Sequence, residues 1–151
     1  MKIFKSPEPL VPDGSYSIFL AGSIDMGTAA DWQTEVCNYF TGTGIHIYNP
    51  RRDDWDSSWE QKIDNAQFNE QVNWELNAMN KADCIIMNFL PGSQSPITLL
   101  ELGLHANSKK LVVCCPDAFY RSGNVHIVCK NYNIPLFKQL DQLLESIKNR
   151  Q

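Results

Sequence analysis

Apolar residues in this chain fall into short unbroken runs, separated by longer stretches where they recur every three or four positions. Tyr16 to Ala21 is the first such run and ends at Gly22-Ser23, which predicts a strand delivering a loop. Ala29 to Phe40 carries Trp32, Val36, Tyr39 and Phe40 at helical spacing, before Gly42 and Gly44 break the chain. Ile45 to Tyr48 reads as a second strand, stopped by Asn49-Pro50, and residues 50–60 are polar, tryptophan-rich and aperiodic, hence a loop. A long helix is expected from about Asn65 to Lys81. Asp83 to Leu90 is then the best candidate for a buried strand, closed by Pro91-Gly92-Ser93.

Ser95-Pro96 opens the next helix, expected to reach about Ser108, since serine suits the cap and proline the first helical position. Lys110 to Cys115 is a further strand, and residues 118–133 read as a loop with a short helix. Ile134 to Phe137 is a last short strand, followed by an amphipathic helix over residues 138–149. Strands alternating with helices, the central strands apolar throughout, predict an α/β fold with a five-stranded, mostly parallel sheet covered on both faces. Such sheets bind ligands beyond the carboxyl ends of their strands, so the loops at 22–28, 49–59, 90–95 and 116–124 should crowd one rim.

Length and composition narrow the field. The 151 residues suit one domain, here 1–151 with residues 1–15 as an N-terminal extension. A net charge of −4 gives no electrostatic reason to hold a nucleic-acid polymer. No apolar run approaches a membrane span, and Met1 to Pro12 lacks the layout of a signal peptide, so a cytoplasmic protein is expected. The five cysteines are odd in number and form no CxxC pair; Cys84 and Cys114 lie within apolar runs, as buried thiols do. The three histidines are scattered, so neither a metal site nor a cofactor is expected.

Two acids stand where acids seldom stand. Ile97, Leu100 and Leu104 form a stripe at about 100° per residue, and Glu101 falls within it. In the preceding helix Phe68, Val72 and Met79 form the stripe, with Glu75 in its centre and Gln71 one turn earlier. Ionised carboxylates are costly to desolvate unless partners or a pocket receive them. The bland alternative is that Glu101 snorkels, because Leu99 and Leu102 make a second apolar side that competes for the inner face. Two carboxyls and an amide beside a polar rim fit glycosyl chemistry, in which one carboxylate attacks the anomeric carbon while another group handles protons. Glycine-rich phosphate signatures are absent; Gly22-Ser23 is either a short phosphate-binding turn or an ordinary one.

Four segments in order resemble the nucleoside 2-deoxyribosyltransferase-like proteins: Phe19-Leu20-Ala21-Gly22-Ser23-Ile24, Asn49-Pro50-Arg51-Arg52-Asp53-Asp54-Trp55, Gln71-Val72-Asn73-Trp74-Glu75 and Ser95-Pro96-Ile97-Thr98-Leu99-Leu100-Glu101-Leu102-Gly103. The resemblance spans roughly residues 16 to 130. It implies a flavodoxin-like doubly wound sheet, a homo-oligomer whose subunits complete each other's sites, and a nucleoside or nucleotide substrate. It also implies cleavage of the bond between deoxyribose and base through a covalent deoxyribosyl-carboxylate intermediate, with Glu101 at the nucleophile's position. Glu75 matches an acid, usually aspartate, that contacts sugar or base.

The pattern is broken six residues before Glu101, where transferases carry an aspartate that assists protonation of the base and this chain carries Ser95. The related deoxynucleoside 5′-monophosphate N-glycosidases also have a serine there, and an A-G-S-I segment, whose serines bind the 5′-phosphate. Ser23 and Ser95 are candidates for that role, with Ser95 as a plain helix cap the alternative. The arginine that follows the first-loop serine in those enzymes is Asp25 here, so Arg51 or Arg52 would have to replace it. Around the rim, Asn49, Trp55 and Asn124 are further substrate-binding candidates, Trp55 and Trp59 as a base platform and Asn124 toward a neighbouring subunit. Asp54 either binds substrate or pairs with Arg51 or Arg52, while Trp32 and Trp74 are expected to pack. Transfer, hydrolysis and non-catalytic nucleotide binding all remain open; a flavin or phospho-acceptor role lacks an acidic triad at strand ends.

Overall fold

The computed structural model describes residues 1–24 and 31–149. Its strands are β1 (Ile3–Lys5), β2 (Ser17–Gly22), β3 (His46–Asn49), β4 (Cys84–Asn88), β5 (Leu111–Cys114) and β6 (Leu136–Phe137). The helices are α1 (Trp32–Tyr39), α2 (Ala66–Lys81), α3 (Pro96–His105), α4 (Ser122–Tyr132) and α5 (Leu140–Lys148). The first residues of the helix expected from Ala29, and Asp25 in the first loop, lie outside the described residues.

All strand pairs are parallel, in the order β1-β3-β2-β4-β5-β6. Without β1 this is the flavodoxin-like order, which reverses between β2 and β4. The sheet has six strands rather than the expected five. The additional one, β1, comes from the N-terminal extension and pairs with β3 in register Ile3↔Ile47 to Lys5↔Asn49.

Alternate residues of each strand serve opposite faces. Phe19, Ala21, Ile85 and Met87 join Trp74, Ala78, Leu102, Val125 and Cys129, which places α2, α3 and α4 on one face. Ile18, Leu20, Cys84 and Ile86 join Val36, Phe40, Leu143 and Ile147, placing α1 and α5 on the other. The five free cysteines are all buried, among them Cys84 and Cys114, whose apolar runs suggested it.

Two expectations need correcting. The inner face of α3 is Thr98, Glu101 and Leu102, whereas Ile97, Leu100 and Leu104 are 59%, 60% and 58% exposed. Apolar residues surround this helix almost completely, so periodicity could not choose the inner side; the second apolar side is the one that packs. In α2 the buried residues are Gln71, Trp74, Ala78 and Met79, with Phe68 and Val72 only half-buried. The segment 118–133 is mostly α4, eleven residues long, and it buries little beyond Val125 and Cys129.

Candidate active site

The strand order reverses between β2 and β4, the place where open parallel sheets put their ligand crevices. Gly22 closes β2 at φ 152°, where a Cβ would lie 2.5 Å from the Asn88 carbonyl oxygen and 2.8 Å from Cζ2 of Trp32. Only glycine lets the backbone come this close. The next amide, of Ser23, donates to the Asn88 carbonyl at 3.0 Å. Ser23 Oγ accepts from the Leu90 amide at 3.1 Å and lies 2.6 Å from Ser95 Oγ, which is itself 2.8 Å from Ser93 Oγ. All three serines are buried.

Ser95 occupies the cap position of α3 but makes no side-chain cap bond. Its backbone is left-handed, at φ 47° and ψ 49°, and its hydroxyl turns toward the other serines. The first N–H groups of α3 therefore receive no hydroxyl from their cap residue, and a helix start of this kind favours an anion. Ser93 was not singled out in the sequence; it joins the other two only where the ends of β2 and β4 meet.

One turn into α3, Glu101 is 7% exposed and accepts no hydrogen bond among the described residues. Burial, with repulsion from Glu75 added, pushes its carboxyl up from an ordinary 4.5 to about 8. Glu75, half-buried on α2, is pushed up to about 7 by burial, against the opposing effect of a hydrogen bond from Gln71. The two acids singled out in the sequence thus lie within electrostatic reach of each other. Gln71 is buried; its Nε2 donates to Glu75 Oε1 at 2.7 Å and to the Pro50 carbonyl at 2.9 Å.

The remaining rim residues are held by one another. Asn49 is buried and its Oδ1 accepts from the Arg51 amide at 3.0 Å, tightening the turn after β3. Arg51 reaches Asp31 at 3.3 Å. Asp54 pairs with Arg52 through two bonds of 2.8 and 3.0 Å, and Arg52 also reaches Glu70 at 3.2 Å. The Arg52 guanidinium lies 5.0 Å from the Trp59 ring, which meets Trp55 edge-on at 5.0 Å. Trp55 stays 37% exposed, while Trp32 and Trp74 pack in the core as expected. Asn124 is exposed in the first turn of α4.

A shallow cleft of about 220 Å³ lies against the ends of β4 and β5 on the α1–α5 side, between Trp32, Leu90 and Lys138; neither Glu75 nor Glu101 lines it. No helix among the described residues is long and apolar enough to cross a membrane.

No curated protein matches the chain. A family does: the one described as "Nucleoside 2-deoxyribosyltransferase like" matches residues 15–119, a stretch that contains Ser23, Glu75, Ser95 and Glu101. With more than half its length matched, and with the parallel sheet and buried acid pair in place, the chain belongs to the nucleoside 2-deoxyribosyltransferase-like family.

Proposed function

We propose that this protein cleaves the N-glycosidic bond of 2′-deoxyribonucleosides or their 5′-monophosphates, with Glu101 as nucleophile and Glu75 as the group that handles the proton. The observation that carries this reading is Glu101 itself. It is a buried carboxyl with no hydrogen-bond partner among the described residues, within electrostatic reach of a second, half-buried acid. A fold gains no stability from such an arrangement, because desolvation opposes ionisation and no protein donor among the described residues offsets it.

In the reaction, a Glu101 oxygen bonds to C1′ as the C1′–N bond breaks, and the bonding pair leaves with the base nitrogen. Glu75 gives its proton to the departing base. The products of this half are a free base, a deoxyribosyl ester on Glu101 and an ionised Glu75. Water or a second base then attacks C1′ and passes its proton to Glu75, while the ester oxygen leaves as the Glu101 carboxylate. A 2-deoxy sugar lacks the electron-withdrawing hydroxyl next to C1′, so a nearby carboxylate suffices to stabilise the cation-like transition state. Where Ser95 replaces the aspartate that transferases use for the base, Glu75 is the acid within reach.

The serine cluster favours a 5′-monophosphate as donor. Three buried hydroxyls and the uncapped start of α3 offer donors to a phosphate. The exposed Ile97, Leu100 and Leu104 favour a homo-oligomer, since one contiguous apolar face on a helix is otherwise left to water. In that assembly Asn124 is available to a neighbour's site, and Trp55 to a bound base.

The test is release of free base from a panel of deoxynucleosides and 5′-monophosphates, with and without a second base, by wild type and Glu101→Ala. Base released by wild type alone supports the reading, the preferred donor decides on the phosphate, and the added base separates transfer from hydrolysis. Binding without release from any donor sinks it in favour of a nucleotide-binding module.

A further inference from the structure

The N-terminal segment lies outside the residues that match the family, yet it reaches the acid pair. Past β1, the Ser6 amide donates to the Asn49 carbonyl at 3.4 Å, Trp74 Nε1 donates to the Glu8 carbonyl at 2.7 Å, and Leu10 packs against the core. Ser6 is buried, and its hydroxyl donates to Gln71 Oε1 at 2.5 Å.

The orientation of the Gln71 amide follows from chemistry. The Pro50 carbonyl can only accept, so the Gln71 atom 2.9 Å away must be nitrogen, and the atom facing Ser6 must be oxygen. Both N–H groups of Gln71 are then in use, one on Pro50 and one on Glu75 Oε1. Its oxygen is occupied by the Ser6 hydroxyl. Gln71 can therefore present Glu75 with a donor but not an acceptor. A proton on Glu75 must sit on the other carboxyl oxygen, free for a substrate.

We propose that Ser6 is a positioning residue, which acts through the Gln71 amide to hold the Glu75 carboxyl with its proton turned away from the protein. This rests on the reading of Glu75 as the proton-handling group. Without the Ser6 hydroxyl, Gln71 Oε1 is a buried acceptor lacking a donor. The amide also loses one of its anchors, so its N–H is held less firmly on Glu75 Oε1, and a weaker bond to the anion keeps the proton on Glu75. Glu101, from α3, is the titratable group within electrostatic reach of Glu75; the Gln71 amide and Pro50 carbonyl are neutral.

The experiment follows the Glu75 carboxyl by ¹³C NMR in protein labelled at glutamate side chains, the resonance assigned by its loss in Glu75→Gln. Ser6→Ala should raise the titration midpoint by about half a unit to one unit. Ser6→Thr, which keeps the hydroxyl, should restore it. In a Gln71→Leu background Ser6→Ala should add no further shift, because the relay is already cut. Ser6→Cys, a weak donor of similar size, makes the same comparison where Ser6→Ala does not fold. On the best donor found for wild type, Ser6→Ala should lower kcat about 10-fold with KM little changed. An unmoved midpoint in folded Ser6→Ala, or an equal shift with and without Gln71, overturns the proposal. A wild type that releases no base overturns the functional reading instead, while the titration still decides the role of Ser6.

Discussion

Replacing Glu101 with glutamine should remove activity and at the same time stabilise the protein, by an amount that grows with pH. In the unfolded chain the Glu101 carboxyl ionises near 4.5, and in the folded chain burial and Glu75 hold it protonated up to about 8. Between those values the folded state keeps a proton that the unfolded state has released. Stability must therefore fall as pH rises through this window. At about 1.4 kcal/mol per pH unit, the burden is under about 1 kcal/mol at pH 5 and on the order of 4 kcal/mol at pH 9, part of it shared with Glu75. Glutamine keeps the shape and carries no charge, and its amide N–H can donate to Glu75. Urea unfolding of wild type and Glu101→Gln at pH 5, 7 and 9 should give nearly equal midpoints at pH 5 and a higher midpoint for the variant at pH 9, with similar m-values. A stability difference that does not change with pH, or a variant less stable at pH 9, would refute the claim that Glu101 is a desolvated acid held at a cost.

Glu75→Gln should lower base release by about 10²–10⁴-fold, most for bases that leave poorly without a proton, and should flatten the alkaline side of the pH–rate profile. In wild type that profile should peak where the pair carries one proton, around pH 7 to 8, and fall on both sides. Ser95→Ala should raise KM for a 5′-monophosphate by about 10-fold or more while changing the corresponding nucleoside little, read from paired steady-state kinetics. Leu100→Asp, placing a charge at the centre of the exposed face of α3, should shift the protein to a smaller species in analytical ultracentrifugation without lowering its thermal stability as a core substitution would.

Much of this was legible in the sequence because the relevant signals are local. Strands β2 to β5 are apolar runs bounded by Gly, Pro or Asn, and a parallel sheet buried on both faces writes itself as such runs. β1 was not legible: Ile3–Lys5 is three residues at an edge, and its pairing depends on β3, more than forty residues away. Glu101 was found for a partly mistaken reason. The Ile97, Leu100 and Leu104 stripe faces out, and the acid is buried by the other side of a helix apolar nearly all round. The serines were half-visible, Ser23 and Ser95 through resemblance and Ser93 not at all, since three hydroxyls become a cluster only when the ends of β2 and β4 meet. Ser6 gave no signal, because one serine before a proline says nothing about an amide 65 positions further on.

The absence of an acid at position 95 bears on how the pair divides its work. Two desolvated carboxyls near each other resist ionising together, so near neutral pH they hold about one proton between them. Before substrate binds, the Gln71 bond favours the anion on Glu75, and Glu101, with no donor, is the better place for the proton. That is the wrong distribution for attack at C1′. Positive charge developing at the sugar reverses it, since a cation beside Glu101 stabilises its carboxylate and drives the proton toward Glu75 and the base. On the proposed reading, an arrangement of this kind would keep Glu101 unreactive until a deoxyribosyl group is in place. On the same reading Ser95 is released from the acid's role, and its left-handed turn directs its hydroxyl toward Ser23 and Ser93 rather than onto the start of α3.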